Sequence, residues 1–149
     1  MAKAKLYPEL EVPEMLLADR RSAYGLRTYV SLFSSAGVGC YGFKEEGFYC
    51  VATVELLERR LKIQKFNQKC VYNSGYICGD MTTQETKDKV FAELAMWERG
   101  FNLTDLDVLI ATPPCQGMSV ANHKKKDELK RNSLVVESIK MTQQIKPKF

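Results

Sequence analysis

Apolar and polar positions change period along the chain, and the changes mark out elements. "TYVSLF" (28–33) is a short apolar run closed by small residues, the pattern of a buried strand. "SSAGVG" reads as a turn, and "CYGFKEEG" as a helix ending at Gly47. "FYCVATVE" (48–55) predicts a second strand. "LLERRLKIQKF" predicts a helix that turns Leu57, Leu61 and Ile63 inward. "SGYICGDM" holds a third strand, shorter and weaker. "TTQETKDKVFAELAMWERG" carries a cap-like Thr82 or Thr83, early acidic residues, Phe91, Leu94, Ala95 and Trp97 on one side, and Gly100 as a stop. "DLDVLIA" (105–111) predicts a fourth strand. "NSLVVESIKMTQQIKPKF" predicts a helix with Leu134, Val135, Ile139 and Ile145 facing in, ended by Pro147. Residues 1–28, punctuated by Pro8, Pro13 and Gly25, read as an extension ahead of one domain over 29–149.

Strands and helices thus alternate, which predicts an α/β fold with a mainly parallel sheet. Ligands of such sheets bind outside the carboxyl ends of the strands. The glycine-rich turn, Glu55, Asp80 and Cys115 each follow a predicted strand, so one rim is expected to carry them all.

Composition narrows this only slightly. A chain of 149 residues builds one ordinary core. No stretch approaches the roughly 20 apolar residues of a membrane span, and Pro8, Glu9, Glu11 and Pro13 interrupt the start where a secretory signal needs an apolar run. The expectation is a cytoplasmic protein, or a nuclear one in a eukaryote, with no membrane partner. The cysteines at 40, 50, 70, 78 and 115 form an odd set without a C-x-x-C pair, so they read as reduced thiols with no disulfide framework and no metal site. The net charge of +4 is mild, but "HKKKDELKR" (123–131) concentrates part of it. That run suits phosphate contact, and equally a solvated loop entering a helix.

Gly37-Val-Gly39-Cys-Tyr-Gly42 is a literal G-x-G-x-x-G between a strand and a helix, with Glu55 closing the next strand. Alone it points to a nucleotide-like cofactor, a nicotinamide dinucleotide among them, or to a merely structural turn. In the dinucleotide fingerprint the first glycine follows the strand almost at once; here Ser34, Ser35 and Ala36 intervene.

Phe33-Ser-Ser-Ala-Gly37 with Gly42-Phe43, then Glu55, Gly79-Asp80, Pro114-Cys115-Gln116 and Arg131-Asn132-x-Leu134 resemble, in order, the first five motifs of the cytosine-5 DNA methyltransferases. The resemblance covers 29–149. It implies an incomplete Rossmann-like sheet of the S-adenosylmethionine-dependent methyltransferase type, double-stranded DNA as substrate, S-adenosylhomocysteine as product, and a restriction–modification role. By resemblance, Phe33 packs against the adenine, and the loop Ser35, Ala36, Gly37, Val38 surrounds the methionine moiety. Glu55 takes the ribose hydroxyls, Asp80 and the Met81 amide take the adenine edge, and Pro114 and Leu134 are further cofactor neighbours. Gln116, Ser119, Lys124, Lys125, Lys126 and Arg131 are placed to meet DNA, Arg131 alternatively ordering the loop. Ser31, Ser35 and Val38 depart from the family's usual Asp, Gly and Gly. At position 35 the added side chain narrows the approach to the cofactor.

The same resemblance gives Cys115 the role of nucleophile. Carbon 5 of cytosine is too poor a nucleophile to take a methyl group unaided. A thiolate adding to carbon 6 makes an enamine that attacks the sulfonium methyl, and loss of the carbon-5 proton then expels the thiol. The target base must leave the duplex to be reached. A lone cysteine after a strand is otherwise more often a buried small hydrophobe, the reading kept for Cys40, Cys50, Cys70 and Cys78. His123 reads as a loop residue and Trp97 as core. The family's Glu-Asn-Val and Gln-x-Arg motifs and its recognition domain have no match here. A truncated piece, or one subunit completed by a second chain, is therefore expected. The fourth strand would then be an unpaired edge open to self-association. The alternatives are an S-adenosylmethionine-binding or DNA-associated module without activity, a nicotinamide oxidoreductase, and a cytosine in RNA as substrate.

Overall fold

A computed structural model describes residues 25–103, 105–114 and 125–149, the last segment with side chains from 133. The strands are β1 (Thr28–Leu32), β2 (Tyr49–Glu55), β3 (Tyr76–Cys78) and β4 (Val108–Ala111). The helices are α1 (Tyr41–Glu45), α2 (Glu58–Phe66), α3 (Gln84–Phe101) and α4 (Lys125–Ile145). Every strand pair is parallel, and the order is β3-β2-β1-β4. The α/β class and parallel sheet read from the sequence are therefore present. The order reverses direction between β1 and β4, which makes the crevice above their carboxyl ends the natural ligand site.

β1 is buried along its whole length because both faces of the sheet are covered there. On one face Val30, Leu32, Ala52 and Val54 meet Val90 and Trp97 of α3 and Met141 of α4. On the other, Tyr29, Cys50 and Cys70 pack with Cys40, Phe43 and Phe48. Thr83 caps α3 by accepting from the Thr86 amide at 3.4 Å, as its cap-like position predicted. Lys87 of α3 pairs with Glu137 of α4, tying the helices that flank the site.

Several boundaries differ from the sequence reading. Gly100 does not stop α3, which ends at Asn102 in the left-handed conformation (φ 55°). In α2 the buried positions are Leu61 and Gln64, while Ile63 and the N-cap residue Leu57 are exposed. A hydrogen-bonded glutamine has taken an inward place that periodicity assigned to an aliphatic residue. In α4, Ser138 and Met141 are buried and Ile139 is exposed. The fourth strand is shorter than 105–111, and its outer edge is not unpaired. Lys148 N donates to Leu106 O at 2.9 Å, Phe149 N to Asp107 O at 2.9 Å, and Leu109 N to Phe149 O at 2.9 Å, a parallel pairing. Cys40, Cys50 and Cys70 are buried thiols as read, but Cys78 is exposed because β3 is the opposite edge. Trp97 is core, fully buried against Tyr72 and Phe101. Among the described residues no helix is long and apolar enough to cross a membrane.

Candidate cofactor site

The turn after β1 is built from backbone that few residues adopt. Phe33 (φ 55°), Ser35 (φ 50°) and Gly37 (φ 88°) all lie in the left-handed region. Only Gly37 does so without steric cost. Ser34 anchors the turn to β2, its N and Oγ donating to Val54 O at 3.0 and 3.1 Å.

Glu55 stands at the end of β2 with its carboxylate facing this turn. Its Oε2 accepts from Ser35 N at 2.8 Å, and its Oε1 from Leu57 N and from Arg60 Nη1, each at 3.2 Å. The carboxylate is buried, and charge-assisted bonds to amides offset its desolvation. After β3, Gly79 N donates to Glu55 O at 3.1 Å, and a Cβ on Gly79 would overlap the Thr86 hydroxyl. Glycine is what lets this loop run against α3. Asp80 then accepts from Thr82 N and Oγ1, both at 2.9 Å through Oδ1, while Met81 is buried beneath it.

The loop after β4 is fastened to the same turn. Thr112 N donates to Leu32 O at 3.2 Å and Thr112 Oγ1 to Phe33 O at 3.0 Å. Whatever follows Thr112 therefore starts beside the Phe33 turn.

These segments enclose a cleft of about 580 Å³. Of the residues predicted from the sequence, Phe33, Ser35, Glu55, Asp80, Met81, Pro114 and Leu134 line it. Ala36, Gly37 and Val38 do not; they line a neighbouring cleft of about 450 Å³ with Tyr29, Cys40 and Gln64. Gly37 and Gly42 of the G-x-G-x-x-G and Glu55 thus face different cavities, unlike the arrangement the dinucleotide fingerprint requires. Cys115, Gln116, Ser119, His123 and Lys124 lie outside the described residues. Lys125, Lys126 and Arg131 fall within α4, and their side chains lie outside the description as well.

Residues that sequence reasoning missed include Leu56, Leu57, Arg60, Thr82 and Thr112, all lining the cleft. Two apolar residues directly after Glu55 were a readable signal, since a strand end followed by exposed leucines needs a reason. Leu56 is 62 % exposed. Thr112 gave no signal, because its role is made by a backbone carbonyl 79 positions earlier.

The cleft's chemistry is mixed: apolar walls from Phe33, Leu56, Met81 and Leu134, and carboxylates at Glu55 and Asp80. Its volume suits a nucleoside-sized ligand. The carboxylates suit hydroxyl and amino donors, and they favour a cationic group over a phosphate. Among the described residues no cluster of His, Cys, Asp and Glu could hold a metal ion.

The model of the C-5 cytosine-specific DNA methylase family matches residues 27–149. The chain is 35 % identical over 125 residues to a type II methyltransferase of Avibacterium volantium, covering 80 % of this chain and 32 % of that protein. It is 31 % identical over 121 residues to a type II methyltransferase of Xanthomonas oryzae pv. oryzae, covering 80 % and 26 %. A type II methyltransferase of Picosynechococcus is 30 % identical over 119 residues, covering 80 % and 44 %. The chain therefore spans less than half the length of these curated relatives.

Proposed function

We propose, from the premise that the chain belongs to the C-5 cytosine-specific DNA methylase family, that its cleft binds S-adenosylmethionine and that Cys115 attacks a cytosine in double-stranded DNA. The observation that supports this is the gathering of Phe33, Ser35, Glu55, Asp80, Met81, Pro114 and Leu134 around one cleft at the β1–β4 crevice. These residues come from five separate stretches of the chain. The donor set also fits the cofactor: a carboxylate with a lone pair to spare for a ribose hydroxyl, a second carboxylate, apolar walls for an adenine, and, among the described lining residues, Arg60 as the one cation, already paired with Glu55.

In this reading Glu55 accepts one ribose hydroxyl at the lone pair left on Oε2, and the second at Oε1 as the half-exposed Arg60 side chain gives way. Asp80, engaged by Thr82 at Oδ1, offers Oδ2 to the adenine amino group. Phe33 and Leu56 flank the base. When bound, S-adenosylmethionine supplies an electrophilic methyl group and leaves as S-adenosylhomocysteine. Cys115 adds as thiolate to carbon 6 of the flipped cytosine, carbon 5 takes the methyl, and loss of the carbon-5 proton releases the thiol. A free thiol has a pKa of about 8.5, so a positive charge beside Cys115 favours the reactive form. Thr112, by its bonds to Leu32 O and Phe33 O, starts the Cys115 loop beside the cofactor turn. Gln116, Ser119, Lys124, Lys125, Lys126 and Arg131 contact the DNA. The matched part is a fraction of the relatives' length. We assign the carboxyl that protonates the cytosine ring, and the recognition of a target sequence, to a further segment or a second chain. Its relatives' type II names support a restriction–modification role in a cytoplasm.

The test uses DNA carrying 5-fluorocytosine, which lacks the proton whose loss releases the enzyme. With S-adenosylmethionine and the complementing segment, a covalent complex forms with the wild-type chain and is absent in Cys115→Ser. Cofactor binding with no adduct under any condition contradicts the catalytic reading and leaves a binding module.

A further inference from the structure

We propose that Gln64 is a positioning residue, holding the turn after β1 in the shape that the cofactor needs. This rests on the cleft being the S-adenosylmethionine site. Gln64 does not line that cleft and touches no ligand in it; it acts through Ser34 and Ser35.

Left-handed backbone at a residue other than glycine persists only where its surroundings hold it. Ser35 (φ 50°) is held from both sides. Its N donates to Glu55 at 2.8 Å, and its O accepts from Gln64 Nε2 at 2.6 Å. The same Nε2 donates to Ser34 Oγ at 2.9 Å, and that hydroxyl in turn donates to Val54 O at 3.1 Å. The turn itself fixes which way the amide points. The Ser35 carbonyl can only accept, so a flipped amide would set Gln64 Oε1 2.6 Å from another acceptor with no proton between them. With Nε2 on the turn, Oε1 faces Thr53 Oγ1 at 2.7 Å; that hydroxyl accepts from Lys69 Nζ at 3.0 Å and has its one proton for Gln64 Oε1 or for Ser34 Oγ at 2.8 Å.

Packing makes the same connection. Gln64 is 1 % exposed, and a Cβ at position 37 would stand 3.0 Å from its Cγ, so the side chain fills the space under the turn. A buried glutamine is costly unless each polar atom is paired. Here its partners are the turn and the strand beside it.

The test combines Gln64→Glu, the isosteric loss of both N–H donors, Gln64→Met, which keeps volume without polarity, and Ser35→Gly, since glycine takes a positive φ unaided. The full chain is titrated with S-adenosylmethionine by calorimetry, and hydrogen exchange of the amide at position 35 is followed without ligand. With serine kept at position 35, either Gln64 variant weakens affinity about 10-fold or more and speeds exchange there; combined with Ser35→Gly, the loss shrinks to about 3-fold. Unchanged affinity and exchange overturn the proposal. So does an equal loss in both backgrounds with exchange raised throughout β1 and β2, the mark of a general packing role. If the wild-type chain does not bind S-adenosylmethionine the cofactor reading falls, and exchange at Ser35 alone decides whether Gln64 holds the turn.

Discussion

The polar network under the turn after β1 and the aromatic cluster beneath α3 are both buried, and they treat polar atoms in opposite ways. At the turn, Ser34, Thr53, Glu55 and Gln64 exchange hydrogen bonds and hold residues in backbone of positive φ. Under α3, Trp97 Nε1, Tyr72 Oη and Glu93 Oε2 are buried with no partner among the described residues. There the rings of Tyr72, Trp97 and Phe101 meet at centroid distances of 4.8 to 6.4 Å. One region gains its definition from directed bonds, the other from area and dispersion. The directed region is the one that faces the cleft, where shape has to be kept to fractions of an ångström. The packed region keeps the sheet and α3 together and tolerates orphaned polar atoms.

Substitutions separate the two modes. Trp97→Ala should lower stability by about 3–5 kcal/mol, read from denaturant unfolding, because neighbours cannot refill so large a space. Glu55→Ala should remove S-adenosylmethionine binding by about 100-fold or more while costing clearly less stability than Trp97→Ala. Equal losses of stability from both would erase the contrast. Glu93→Gln should stabilise by about 1 kcal/mol at neutral pH. Burial pushes the Glu93 carboxyl up, against a smaller lowering by the Ser74 hydroxyl. A folded-state pKa above the unfolded one means that stability falls as pH rises from the unfolded carboxylate range through the folded value. The advantage of Glu93→Gln should therefore vanish below the unfolded range, and melting curves across pH show whether it does. The smallest effect is expected at Lys148→Met, which breaks an exposed pair with Asp107 and should cost less than about 0.5 kcal/mol.

The order of elements was legible because buried strands and amphipathic helices advertise themselves by period. Thr28–Leu32 and Tyr49–Glu55 lie almost where the apolar runs placed them. The positions of the acids were legible too, since Glu55 and Asp80 each follow a strand and both line the cleft. What stayed hidden was made by polar atoms or by distant backbone. Gln64 displaced Ile63 from the inner face of α2 because its bonds to Ser34 and Ser35 cannot be seen in a hydrophobic pattern. The outer edge of β4 was read as open, and Lys148 and Phe149 pair with it through main-chain groups that carry no sequence signal. Of the loop assigned to the methionine moiety, Ser35 lines the main cleft and Ala36, Gly37 and Val38 line the adjoining one.

The most direct measurement of the central claim is a nitrogen-resolved NMR titration of the chain with S-adenosylhomocysteine, paired with one using a nicotinamide dinucleotide. Saturable shifts are expected at the amides of Phe33, Ser35, Glu55, Leu57, Asp80, Met81, Thr112 and Leu134 with the first ligand and none with the second. Shifts confined to the cleft lined by Gly37, Lys44 and Lys69, or a response to the nicotinamide dinucleotide alone, would contradict that claim.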